Sequence, residues 1–355
     1  MNLRYLVVLT ACALAVAVAG APAAAPAIAM LDAATDPAAP LPQRLRDTGL
    51  FGDDGTTVRA DIVAFAPQYP LWSDGATKRR WMRMPAGTWI DASRPDAWEF
   101  PRGTRLWKEF SQGRRAETRL IERLADGTWR FTAYAWNAEG TDAVLVPEDG
   151  KTIDVPGAPE GRYAIPSRLD CLACHEGAQV PVLGFSALQL SPDRDPFAPH
   201  GERASADRVD LRTLAERGLV RNLPQSLLDV PPRIAVDSAV ARAALGYLHA
   251  NCGHCHNDGG ALLGVDMVLS QRVDDPTASV ARTLKSLVGR GTRFRSRDTG
   301  AVKRVVPGHA EASLVSVRMR TQNPMARMPP VGVEVVDDEG ATLVERWIRF
   351  IPEEP

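Results

Sequence analysis

Ala239-Val240-Ala241-Arg242-Ala243-Ala244-Leu245-Gly246-Tyr247-Leu248-His249-Ala250-Asn251-Cys252-Gly253-His254-Cys255-His256 sets the reading of this chain. Its first thirteen positions are rich in Ala and Leu and free of Pro, a composition that predicts a helix. That helix runs into C-x-x-C-H, and the same pentapeptide stands upstream as Cys171-Leu172-Ala173-Cys174-His175. Two thiols three positions apart on one turn can each form a thioether with a haem vinyl group, and the next residue then offers its imidazole to the iron. The spacing therefore predicts two covalently attached c-type haems. Cys171, Cys174, Cys252 and Cys255 are the attachment points, and His175 and His256 the iron ligands. Three alternatives remain open. Four thiols suit a structural zinc ion, but Cys174 and Cys252 lie 78 positions apart and zinc gives both trailing histidines no role. A thioredoxin-like redox pair needs no histidine either. Disulfides are ordinary in an exported chain, yet they do not favour a repeated pentapeptide.

Export is read from the other end of the chain. Arg4 precedes an apolar run over residues 5–19, followed by small residues and the small-x-small sites Ala19-Gly20-Ala21 and Ala27-Ile28-Ala29. The second site is preferred, because the first leaves Pro22 just after the cut, so residues 1–29 are expected to be a secretory signal. An uncleaved anchor is the alternative, but the run falls short of the ~20 residues of a spanning helix, and Pro22 and Pro26 interrupt it. Leu9-Thr10-Ala11-Cys12 also resembles a lipobox, with Cys12 early for its apolar core. A signal peptide places the mature protein in the periplasm, with no membrane span expected in it. The 355 residues carry 42 Lys and Arg against 43 Asp and Glu, a net charge of −1. Such a balance argues against a chain built to bind nucleic acid or an anionic membrane. Hydrophobic residues make up 45%, which excludes disorder over most of the length and suits about two domains.

Residues 234–355 form the expected C-terminal module. A closing helix is expected over 339–351, where Leu343, Val344, Trp347 and Ile351 share a face, and Gly246 leaves room for that helix, with Trp347 as its expected partner. Between the helices lies Pro324-Met325-Ala326-Arg327-Met328-Pro329-Pro330-Val331-Gly332. A Tyr-Leu-x-x-Asn-Cys-x-x-Cys-His helix, a Met-Pro-Pro loop and a final Trp-containing helix together resemble class I c-type cytochromes, over about residues 235–352. The resemblance implies an all-α fold with Met328 as the sixth iron ligand opposite His256. A thioether opposite imidazole favours ferrous iron and suits one-electron transfer. Met325 is the nearest competitor, and Met319, on a helix expected over 312–319, is read as core. That family often has a proline carbonyl after the motif to orient the histidine; residues 257–264 contain no Pro, so the partner of His256 is unassigned. The basic stretch 290–304 has two readings, a pairing surface for haem propionates or an acidic partner, and a solvated loop. His249 and His309 are read as structural.

Residues 45–165 hold seven of the eight tryptophans and read as β-rich. Runs at 118–124 and 128–136 flank Ala125-Asp126-Gly127, a hairpin signal, with Trp129, Phe131, Ala133 and Ala135 on the more apolar face of the second strand. Phe100-Pro101-Arg102-Gly103-Thr104-Arg105-Leu106-Trp107-Lys108-Glu109-Phe110 adds a turn and a strand. Together with Tyr69-Pro70-Leu71-Trp72-Ser73-Asp74-Gly75, Glu117-Thr118-Arg119-Leu120 and Tyr134-Ala135-Trp136-Asn137, this pattern resembles a bacterial family of exported dihaem cytochromes over nearly the whole mature chain. The Phe-Pro-x-Gly-Thr-x-Leu-x-Lys-Glu order ahead of a C-x-x-C-H is also similar to monohaem cytochromes that oxidise hydroxylamine. That resemblance implies Lys108 as a lysine crosslinked to a haem with an open sixth position; a plain exposed strand lysine is the other reading. No Met-Pro loop follows Cys171. Met82, Met84 and His200 are the candidate sixth ligands of the first iron, and without one it is five-coordinate. Residues 191–233 read as a Pro-rich connector with a short helix within 209–218. Nucleotide-binding and hydrolase fingerprints are absent from the sequence.

The expected fold class is multidomain α+β. A β-rich domain at 30–190 ends in the first haem motif, 191–233 connects, and an all-α class I cytochrome c domain occupies 234–355. The expected function is a periplasmic dihaem c-type cytochrome exchanging single electrons with a redox protein partner. The alternative is a small-molecule oxidoreductase or peroxidase with an open first iron and the second haem as relay; a third is a binding module whose first motif carries no haem.

Overall fold

The computed structural model describes residues 33–259, 265–294 and 300–353. The signal expected over 1–29 and Arg295 and Arg297 of the basic stretch lie outside the described residues. The strands are β1 (Val63–Phe65), β2 (Thr77–Arg83), β3 (Ile90–Asp91), β4 (Arg105–Gln112), β5 (Arg114–Arg123), β6 (Trp129–Trp136), β7 (Ala143–Leu145), β8 (Lys151–Asp154), β9 (Arg162–Ile165), β10 (Arg208–Val209) and β11 (Val220–Arg221). The helices are α1 (Arg168–His175), α2 (Leu211–Glu216), α3 (Ser226–Asp229), α4 (Ala239–Asn251), α5 (Pro276–Leu287), α6 (Leu314–Arg320) and α7 (Asp338–Arg349).

The hairpin expected around Gly127 forms as β5 and β6, paired antiparallel from Glu117 opposite Ala135 to Arg123 opposite Trp129. Gly127 sits at φ +90°, a conformation costly for any residue with a Cβ. The hairpin is the middle of a seven-stranded sheet in the order β10-β1-β2-β4-β5-β6-β7. Both faces of the sheet are covered, so β6 is more buried than a strand with one wet face. Phe131, Ala133 and Ala135 face one side, while Tyr134 and Trp136 pack on the other with Leu45, Leu50, Phe51, Trp81 and Trp107. The N-terminal segment around Leu45–Thr48 supplies that cover.

The expected all-α class I cytochrome c domain is overturned. The chain is a mixed α/β structure, and its C-terminal helices close no core of their own. One cluster of buried side chains runs from Val63, Phe65 and Tyr69 through Phe185, Leu190 and Val209 to Leu245, Leu248, Val305, Val344 and Trp347. Residues 288–313 also carry β-bridges, Val288 to Val305, Gly291 to Lys303 and Lys303 to Ser313, in place of purely helical packing. The physical reason lies in α4. A Cβ at Gly246 would fall 2.1 Å from the ring of Tyr69, so the notch holds Tyr69 and not Trp347. The Tyr69 hydroxyl donates to Asp195 at 3.0 Å, and Arg242 of α4 lies 3.7 Å from the same carboxylate. Where α4 meets α7, the close approach is at Gly340, whose Cβ would fall 2.3 Å from the Tyr247 ring. Residues 191–233 are woven into the same body: β10 extends the sheet parallel to β1, β11 pairs with β3, and Leu211 and Leu214 are buried in the shared core.

This packing inverts an expectation from helix propensity, by which Gly246→Ala in mid-helix would stabilise by about 1 kcal/mol. With the Tyr69 ring in the notch, Gly246→Ala is expected to lower stability by about 1–3 kcal/mol, as overpacking does. Thermal or urea unfolding checks the sign, and Tyr69→Ala in the same chain should abolish the penalty.

Candidate functional site

Helix α1 carries the first motif. Ser167 caps it, accepting from the Asp170 amide while the Asp170 carboxylate accepts from the Ser167 amide. This reciprocal cap sets Cys171, Cys174 and His175 along one turn and a half, at the mouth of a chamber of about 540 Å3. That volume is in the range of cofactor pockets. His175 is fixed at two points: its Nδ1 bonds to the Pro181 carbonyl, and its ring lies 4.8 Å from that of Phe131 on β6. A carbonyl on Nδ1 selects the tautomer in which Nε2 is free to ligate. Burial pushes His175 down to about 4, so the ring is neutral, the form a metal requires.

The sheet supplies the opposite wall. Register places Arg80 opposite Lys108 and Lys108 opposite Arg119, a row of three cations across β2, β4 and β5 that lines the chamber. Like charges directly opposite are destabilising, and the flanking two are balanced. Arg80 pairs with Glu202 at 2.7 Å, and Arg119 makes a bidentate pair with the fully buried Glu117 at 2.7 and 2.9 Å. Lys108 between them has no carboxylate within salt-bridge distance among the described residues; its Nζ lies 4.8 Å over the Phe110 ring. Burial, then Arg80 and Lys78, holds its pKa well below the ordinary lysine range. Lys108 is thus enclosed and faces the chamber, not an exposed strand position.

The second motif follows α4 directly and meets the first. Asn257 donates to the Gly177 carbonyl at 2.8 Å and to the Gly253 and His254 carbonyls at 3.0 Å each, clamping the two segments together. The Cys255 thiol donates to the Ala173 carbonyl at 3.8 Å. The neighbouring Cys255 thiol, with burial second, raises Cys174 to about 12, while Cys255 is lowered. Burial raises Cys171, and pushes Cys252 up to about 12 where it packs against the main core. All four are free thiols, and among the described residues no three metal-ligating side chains cluster as a four-thiol zinc site would require. His256 is buried with Nδ1 unpartnered among the described residues, so the orienting carbonyl missing from the sequence is missing here as well.

The expected axial pair His256 and Met328 is not brought into one cavity. Met328 lines a small cavity of about 30 Å3 with Trp72, Tyr247 and Met319, while Pro329 borders both that cavity and the chamber. Met325 is 85% exposed and stands apart, and Met319 packs against the main core. None of the three candidates for the first iron reaches the chamber. Met82 is in the core, Met84 packs on it, and His200 is bonded to Asp337 at 2.9 Å beside the Trp72 ring. His249 accepts the Gln271 amide, and Arg304 of the basic stretch is tied to Asp266 and the Ser286 carbonyl. Sequence reasoning passed over His254, which lines the chamber with its Nδ1 buried and unpartnered. Asn251, the Asn of the Tyr-Leu-x-x-Asn-Cys motif, holds the Trp72 amide at 2.7 Å. Asn251 and Asn257 flank the second motif on either side, a local signal that was available.

Haem fits the first site. Two thiols and an oriented neutral imidazole stand at a chamber with Leu106, Ile121, Phe131 and Phe185 in its walls, and the Lys108 amine lines it without a carboxylate partner among the described residues. The second motif offers the same donor set, two thiols and a buried imidazole. Comparison with protein-family models, curated proteins and solved structures finds no match. The three family resemblances therefore rest on the motifs alone.

Asp96, on the chamber wall, accepts from the Val273 and Asp274 amides at 2.9 and 3.1 Å, and burial pushes it up to about 6. Its folded pKa exceeds the unfolded one, so its contribution is fully present below about pH 4 and lost as pH rises through 6. The stability difference between Asp96→Asn and the parent, followed by thermal unfolding, is expected to shift in favour of the variant by about 2–3 kcal/mol at most across that window.

Proposed function

We propose that this chain is an exported protein carrying two covalently attached c-type haems, and that it passes single electrons to and from a redox protein partner. The observation that carries the proposal is that the two C-x-x-C-H segments, remote in sequence, meet: Cys255 contacts the Ala173 carbonyl and Asn257 the Gly177 carbonyl, while Cys171, Cys174 and His175 line the chamber with only Gly253 and His254 of the second motif beside them. A bound haem supplies a reversible ferrous–ferric couple. Cys171 and Cys174 would hold one haem and Cys252 and Cys255 the other, with His175 and His256 as the imidazole ligands of the irons. The chain's own contribution is to hold His175 neutral and oriented through Pro181, to keep water from the ring with Phe131, and to present Lys108 to an acidic group. The expected export signal agrees with haem attachment outside the cytoplasm. Among the described residues no helix is long and apolar enough to cross a membrane.

Intact mass of the periplasmically matured protein is expected to exceed that of the mature chain by two haems. The paired variants C171A/C174A and C252A/C255A should each lose one. A mass without covalent haem, or with one in the parent, contradicts the proposal.

One observation favours a second reading of the first haem, as a small-molecule redox site: Met82, Met84 and His200 all lie away from the chamber. An iron with one protein ligand can take an exogenous one. Ferrous protein is then expected to bind carbon monoxide, and C171A/C174A to bind one equivalent less per chain. No binding in the parent returns both haems to electron transfer alone.

A further inference from the structure

The chamber wall carries more positive charge than its neighbours neutralise. Arg80 on β2 and Lys108 on β4 stand directly opposite each other in the register, so they project side by side from one face of the sheet, and both line the chamber. Arg80 is 6% exposed; its Nη1 donates to Glu202 at 2.7 Å, and its Nη2 is buried with no partner among the described residues. Glu202 is itself divided, because Arg208 takes its other oxygen at 2.6 Å. One carboxylate thus serves two guanidinium groups, and Lys108 beside them has none within salt-bridge distance among the described residues. Arg119, the third cation of the row, is balanced by Glu117. The chamber's own acids do not supply the missing countercharge. Asp96 accepts from the Val273 and Asp274 amides, Asp170 from Ser167 and Asp258 from Arg282, while Glu176 is exposed.

A buried guanidinium nitrogen without an acceptor, next to an amine without a counterion, is a two-point site for an anion that enters from the chamber. A carboxylate has one oxygen for each donor. We propose that Arg80 and Lys108 form a carboxylate-binding subsite in the chamber, the Arg80 Nη2 and the Lys108 Nζ each donating to one oxygen of the ligand. That chemistry has two sources: a free small carboxylate from solution, and an acidic side group of a haem held at Cys171 and Cys174. Only the second rests on the dihaem reading above. The first makes the chamber selective for anions, which narrows its small-molecule reading to substrates bearing a carboxylate or a similar oxyanion.

Formate is the probe, titrated calorimetrically into the periplasmically matured protein at low ionic strength, with resonance Raman spectra taken on the same samples. If the subsite takes a free carboxylate, the parent binds one formate per chain, and Lys108→Gln weakens that binding by about tenfold or more, the loss of one charge-assisted hydrogen bond. If a haem side group fills it, the parent binds no formate, and the propionate bending bands shift in Lys108→Gln with haem content by mass unchanged. Lys108→Met, which keeps the apolar stem, replaces the Gln variant should that chain fail to fold. A parent that binds no formate and whose bands neither variant moves overturns the subsite. Formate binding that the variants leave unchanged overturns it too. Intact mass separates this proposal from the dihaem reading: a chain without covalent haem ends that reading, and its formate titration, in parent and variant, still decides the subsite.

Discussion

The ring of Tyr69 in the notch of Gly246 is the contact on which the rest of the structure depends. Tyr69 lies just beyond β1 at the edge of the sheet, and Gly246 lies two turns before the second cysteine pair, so the contact sets the distance from sheet to motif. Its hydroxyl reaches Asp195, and Asp195 draws in Arg242 from the same helix. Beyond it the chain is stitched on. Asn251 takes the Trp72 amide, and Asp74 accepts from the Glu334 and Val335 amides at 2.9 and 2.8 Å, which ties the segment after the Met-Pro loop to the sheet. A two-domain arrangement would leave the motifs free to move apart. This one holds them at a fixed junction.

The chamber's electrostatics follow from the sheet register. Three cations stand side by side on adjacent strands, an arrangement a stable sheet avoids unless countercharge is near. Glu202 and Glu117 neutralise the outer two, and Tyr163 adds a hydrogen bond to Glu117 at 3.0 Å. Lys108 is left facing the chamber. A half-buried lysine amine between two arginines is pushed toward its neutral form, and an acidic group in the chamber would favour the charged one.

Much of the local structure was legible in the sequence. The β5–β6 hairpin was announced by Asp126-Gly127, helix α4 by its Ala and Leu content, and α7 by the spacing of Leu343, Val344 and Trp347. Both C-x-x-C-H pentapeptides could be read directly. What could not be read was which buried faces meet. Gly246 signals a close approach but not its partner, and the nearest large side chain on another expected helix was the wrong one. Residues 191–233 look like a connector because their strands are two residues long, too short for alternation to register, yet they fill the shared core. Lys108 illustrates the same limit. Alternation along β4 puts it on a face with Leu106 and Phe110, but only pairing with β2 and β5 turns that face into the wall of a chamber.

Both motifs are proposed to hold iron within one folded body. A crystal of the matured protein, mapped by anomalous scattering at the iron edge, tests it most directly. Two iron sites are predicted, one bonded to Nε2 of His175 and one to Nε2 of His256, each in density continuous with its own pair of cysteine sulfurs. A single iron site, no iron, or a metal held among the four thiols would contradict it.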